Sequence, residues 1–218
     1  MVVSRSRWVR AGAVVAAGLV GVLFGAVPAS AADDGQWWYD IYGVADVHAE
    51  GWTGAGVKIA VIDSQINPDL PDFQGADLTV AEGSACVGKD PATSEATATS
   101  EHGSTVTAML IGNGTGVAGT KGIVPDASVT FYGLGATSDC VPTADVKDSG
   151  HEPMGWMIQR AIDDGADIIT TSTVVGSGSL TDTKTIAELI ARKIPFVSGN
   201  PNDVFNEGDL PAGYTGVV

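Results

Sequence analysis

Two cysteines in 218 residues are too few for a disulfide scaffold. With no histidine cluster beside them they also fall short of the four ligands of a structural zinc site. Basic residues are scarce: 11 Lys and Arg face 26 Asp and Glu, for a formal charge of −15. Such a surface repels phosphate backbones, so nucleic acid is excluded as a partner, and the acidity reads as the solvated surface of a soluble protein. No internal repeat or low-complexity tract is present, which excludes a solenoid. What remains is globular: 44% hydrophobic, 17% charged, with 29 glycines that point to many tight turns rather than a helical bundle.

The N-terminus has no twin-arginine pair, yet it carries the parts of a general secretion signal. Arg5, Arg7 and Arg10 form a basic region, residues 11–27 are apolar and uncharged, and Ala29-Ser30-Ala31 is a small-x-small cleavage site. Residues 1–31 are therefore expected to be a cleaved signal peptide of a secreted protein. The alternative is a retained membrane anchor, since the apolar run is somewhat long. Cleavage would leave 187 residues, in which 26 acidic groups face 8 basic ones, a net of −18. In an oxidising compartment Cys86 and Cys140 are expected to form one disulfide, a closure worth about 4 kcal/mol in the entropic model.

Residues 32–56 are rich in aromatics (Trp37, Trp38, Tyr39, Tyr42, Trp52) and end in a Thr-Gly-Ala-Gly turn. They are expected to form a lead-in across the domain surface. Residues 57–63, VKIAVID, are an apolar run that ends on a carboxylate, as a strand buried on both faces would. A short strand near 76–81 and a Ser/Thr/Ala/Gly-rich surface excursion over 82–101 follow. From His102 the spacing turns helical, with Val106, Met109 and Leu110 on one face and Gly112 and Gly114 as the stop. Strands are expected at 129–134, 167–171 and 194–198. A helix with the stripe Met154, Met157, Ile158, Ala161, Ile162 and another around Ile186, Leu189 and Ile190 lie between them. This alternation predicts an α/β fold with a doubly wound, mainly parallel sheet flanked by helices.

Asp63 then ends a strand at the edge where open α/β sheets place their chemistry. Of the three histidines, His102 is its candidate partner, since His48 and His151 sit in polar segments without a comparable setting. A buried Asp that accepts from one imidazole nitrogen fixes the tautomer and frees the other nitrogen as a general base. A phosphate-binding α/β domain is disfavoured, because Ser64-Gln65-Ile66-Asn67-Pro68 stands where a glycine-rich phosphate loop would be.

These residues resemble the subtilisin-like serine proteases. AVIDS at 60–64 is similar to that family's Asp motif, HGSTVTA at 102–108 to its His motif, and SGN at 198–200 to its oxyanion motif. GIVPDASV at 122–129, GADIITTS at 165–172 and PAGYTGVV at 211–218 are similar to its connecting segments, in the same order. The resemblance, from about Trp37 onward, implies that Asp63 orients the imidazole, His102 is general base and then acid, and the Asn200 amide donates to the developing oxyanion. It implies that Ser172, Thr173 and Val174 border a groove for an extended peptide or protein substrate. No cofactor is implied. Asp69 matches a calcium-ligating position of some relatives, but no ligand set accompanies it, so no metal is assigned. Oligomeric state is left open.

Several positions depart from the family pattern. Gln65 replaces a Gly after the Asp motif, Thr107 and Ala108 replace Ala and Gly after His102, and Thr173-Val174 replaces Leu-Gly at the substrate edge. The family's Gly-Thr-Ser nucleophile motif does not occur after Asn200. Two readings follow: residues 57–218 are a partial peptidase domain, truncated at its C-terminus and inactive as it stands, or the chain is a non-catalytic secreted peptide-binding module.

Overall fold

A computed structural model of the chain describes residues 36–135, 139–175, 178–199, 211–214 and 216–217. The expected signal peptide and Asn200 lie outside the described residues. Residues 57–63 contain strand β1, Lys58–Asp63, in which every residue after the first is buried. A run of Ile, Ala and Val with no polar alternation can be stable only where both faces are covered.

Four further strands accompany it: β2 (Leu78–Val80), β3 (Ser128–Gly133), β4 (Ile168–Thr171) and β5 (Phe196–Ser198). Their order is β2-β3-β1-β4-β5, and each pairing is parallel. β1 is therefore central, with Asp63 beside Gly133 of β3 and Ile62 beside Thr171 of β4. Parallel pairing brings all the strand C-termini to one edge, and Asp63 stands at the middle of it.

Helices cover both faces. Helix α3 (Ala98–Ile111) packs Ala108 and Ile111 against Ile59, Val61, Val129 and Phe131. On the other face α5 (Pro153–Asp163) and α6 (Leu180–Arg192) pack against Ala60, Ile62, Tyr132 and Ile169. Strand side chains alternate, so Asp63, in step with Ile59 and Val61, points to the α3 side. The α5 stripe is the expected one, with Met154, Met157, Ile158, Ala161 and Ile162 all buried. The remaining short helices, α1 (Trp37–Ile41), α2 (Val44–Ala49) and α4 (Ala144–Ser149), carry no strong periodicity of their own.

Helix α3 departs from expectation in two ways. It starts at Ala98 rather than at His102, because Thr97 and Ser100 exchange caps: Ser100 N–H donates to Thr97 Oγ1 at 3.2 Å and Thr97 N–H to Ser100 Oγ at 3.0 Å. Its fully buried face is Gly103, Ser104, Thr107, Ala108 and Ile111; Val106 and Leu110 pack partly buried against the core, while Met109 is exposed. Small residues let the helix settle close to the sheet. A Cβ on Gly103 would lie 2.2 Å from the Gln65 carbonyl oxygen and 3.1 Å from the Phe131 ring.

Cys86 and Cys140 form the expected disulfide, with Cα atoms 5.1 Å apart. Residues 36–48 are tied to the 119–123 segment by polar contacts. Gln36 donates from Nε2 to Gly119 O at 2.8 Å and accepts the Lys121 N–H at 2.6 Å, and the His48 ring meets Ile123 O at 3.0 Å.

Candidate active site

At the edge where the strands end, His102 Nδ1 lies 2.9 Å from Asp63 Oδ1. The carboxylate is wholly buried, whereas the imidazole is 48% exposed. An ionised carboxylate only accepts, so Nδ1 is the donor in this contact and Nε2 is the nitrogen not engaged by Asp63. The same oxygen, Oδ1, accepts the Ser64 backbone N–H at 2.7 Å and faces the Ser64 hydroxyl at 3.1 Å. Asp63 is thus fixed by its own strand end, and His102 by the second turn of α3. The pair joins residues 39 apart in the chain.

Residues that depart from the family pattern have local work here. Gln65 donates to Asp90 O at 2.7 Å and accepts from the Thr99 hydroxyl at 3.2 Å, tying the loop before α3 and the first turn of α3 to the turn beside Asp63. Thr107 is buried and donates to Gly103 O at 2.8 Å, one turn back in α3. Beyond β4, Ser172 is exposed and Val174 half-buried, but Thr173 is turned inward, its N–H donating to Thr171 Oγ1 at 3.1 Å. Thr171 Oγ1 itself donates to Ile62 O at 2.8 Å, which couples this segment to the strand that bears Asp63.

The setting of His151 corrects the sequence reading. Its Nδ1 lies 2.8 Å from Asp182 Oδ1, a second His–Asp pair as close as the first. Asp182 lies in the first turn of α6, 31 residues away, so no local pattern announces it. The two pairs differ in access: His151 is 8% exposed against 48% for His102, so only His102 can present its far nitrogen to a substrate. Among the described residues no group of three His, Cys, Asp or Glu could hold a metal ion.

A doubly wound parallel sheet with an Asp–His pair at its C-terminal edge defines a class of hydrolytic domains. Residues 54–216 match Peptidase S8, the subtilase family, and the chain belongs to that family of serine peptidases. It is 27% identical over 142 residues to the minor extracellular protease Vpr of Bacillus subtilis (strain 168), an alignment covering 60% of this chain and 15% of Vpr. Among solved structures, it is similar to the prenylagaramide maturation protease PagA, with a TM-score of 0.59 and 20% identity over 81% of this chain and 57% of that one. The PatG macrocyclase in complex with peptide gives a TM-score of 0.56 and 18% identity over 83% of this chain and 62% of that one. At these identities the structural likeness speaks to the fold. The chain spans less than two thirds of the length of each of these relatives.

Proposed function

We propose that this chain carries the proton-handling half of a secreted serine endopeptidase, with Asp63 as orienting carboxylate and His102 as general base. The observation that carries the reading is the 2.9 Å contact between a buried Asp63 and a half-exposed His102. A serine hydroxyl presented to Nε2 would lose its proton to the imidazole as its oxygen attacks the scissile carbonyl. Asp63 stabilises the resulting imidazolium, which then returns the proton to the leaving amine. Asn200 is assigned the oxyanion donor, and loss of such a donor costs on the order of 3 kcal/mol in the barrier. The segment Ser172, Thr173 and Val174 borders the substrate groove. PatG, crystallised with a peptide, supports a polypeptide substrate.

The nucleophile motif does not occur in residues 1–218, so the test uses the product of the whole coding sequence. A serine-directed fluorophosphonate is expected to label it, His102→Ala to abolish labelling, and Asp63→Asn to slow peptide hydrolysis about 10⁴-fold. Absence of labelling, or labelling indifferent to His102, would overturn the peptidase in favour of the peptide-binding module.

Secretion belongs to the same proposal, in keeping with the extracellular relative Vpr. Residues 1–31 act as the signal peptide, 32–56 as the lead-in and 57–218 as peptidase-domain sequence. N-terminal sequencing of the secreted product is expected to begin at Ala32; a product retained in the membrane with Met1 intact would refute this.

A further inference from the structure

A groove of about 280 Å³ runs along α3 from Ser100 to Ala108. One wall is α3, through Glu101, Thr105 and Ala108, and the other is the loop after β1, through Asn67, Leu70 and Pro71. The buried Ser104 hydroxyl joins the walls by accepting the Asn67 N–H at 3.0 Å. Thr105 stands three residues from His102, one turn along the same side of the helix, and Asn67 stands four residues after Asp63. Neither Asp63 nor His102 lines the groove, but Glu101 and Thr105, which do, flank His102 on α3. It is smaller than the pockets that enclose drug-sized ligands and suits a single long side chain.

Its chemistry selects that side chain. Leu70, Pro71, Ala96 and Ala108 give apolar walls, and Val117 at the mouth is fully exposed. The charged groups lining it are all acidic: Asp72, Glu95 and Glu101. None of the three has an ion-pair partner among the described residues. Apolar walls under an acidic rim match a side chain with an aliphatic stem and a cationic head, which is arginine or lysine. A neutral aliphatic chain would leave the carboxylates unanswered, and an acidic one would be repelled by them.

We propose that this groove is a side-chain subsite that receives an arginine or lysine of the bound polypeptide, close to the bond presented to His102. It rests on the peptidase reading for its substrate, but not for its test. The probe is a series of dye-labelled alanine-based peptides in which one arginine is walked along the chain, each with a citrulline twin of the same shape and no charge. Binding is followed by fluorescence anisotropy to the full-length product carrying His102→Ala, which prevents cleavage. At one position the arginine peptide is expected to bind about tenfold tighter than its twin, the worth of two partly exposed charge pairs. The gap should close in a Glu95→Gln/Glu101→Gln variant and narrow at high salt.

Equal binding of the twins at every position, or a gap that survives the double substitution, would overturn the subsite. Fluorophosphonate labelling separates the two ideas. A product that labels but ignores arginine loses the subsite and keeps the peptidase; one that prefers arginine but does not label loses the peptidase and keeps the subsite.

Discussion

Asp63 Oδ1 receives the His102 ring and the Ser64 N–H, with the Ser64 hydroxyl shared between it and Thr99 O, while Oδ2 is buried with no hydrogen-bond partner among the described residues. An unsatisfied buried polar atom typically costs about 1–3 kcal/mol, so this carboxylate is arranged for the imidazole rather than for stability. Tyr132 is the opposite case. It is buried, its hydroxyl donates to Asp164 Oδ2 at 2.7 Å, and burial first, then Asp164, pushes its pKa up, with Arg160 above the ring opposing. The raised pKa means that the folded state holds the proton more tightly than the unfolded chain. The stabilisation is full below about pH 10, the ordinary tyrosine value, and is lost as pH rises past it. Tyr132→Phe is expected to cost about 1 kcal/mol at neutral pH and to flatten the alkaline decline of stability in denaturant titrations. Parallel pH profiles for the two proteins would refute the assignment. At this scale the contact between Asp63 and His102 was legible in the sequence, because Asp63 ends an apolar strand and His102 opens a glycine-flanked helical pattern. The inward turn of Thr173 was not, because it depends on a hydrogen bond to Thr171 made within an irregular segment.

Among elements, α6 is the one whose anchoring only the structure reveals. Asp182 accepts the Ser179 N–H at 2.6 Å and the Glu152 N–H at 3.3 Å besides the His151 ring. It abuts α5 so closely that a Cβ on Gly155 would clash with it. One carboxylate thus caps its own helix and ties it to the link before α5. Removing one partner of a buried pair strands the other, so Asp182→Ala is expected to destabilise the protein by about 3–5 kcal/mol while its phosphonate labelling rate stays unchanged. A loss below about 1 kcal/mol would show the pair to be incidental. β1 could be read from its unbroken apolar run and α5 from its clean helical stripe. The face of α3 could not, since a stripe of Gly, Ser, Thr and Ala is buried by close approach and carries no hydrophobic signal. Its start was hidden for a related reason: Thr97 and Ser100 cap it inside a stretch already full of Ser and Thr.

For the whole molecule, the order of strands and helices was enough to specify a doubly wound sheet, because right-handed crossovers leave few other arrangements. The groove beside α3 was not legible. Its walls, Leu70 and Ala108, are 38 positions apart and meet only after α3 settles against the sheet. The disulfide acts at this scale too. Reduction of Cys86–Cys140 is expected to lower the unfolding free energy by about 4 kcal/mol, measured as a shift in urea midpoint at unchanged folded-state circular dichroism; an unchanged midpoint would show that the reduced chain is already held together elsewhere.

The covalent ring between Cys86 and Cys140 encloses all of α3 and β3, and with them His102 and the exposed turn at Val117. A peptide bond cut within that ring divides the chain in sequence but not in substance. The two pieces stay linked until a reductant reaches the disulfide, so a nick at the turn leaves the piece that bears α3 and His102 joined through Cys86 to the piece that bears β3. A domain of a proteolytic family has in this ring a tolerance of its own kind of chemistry.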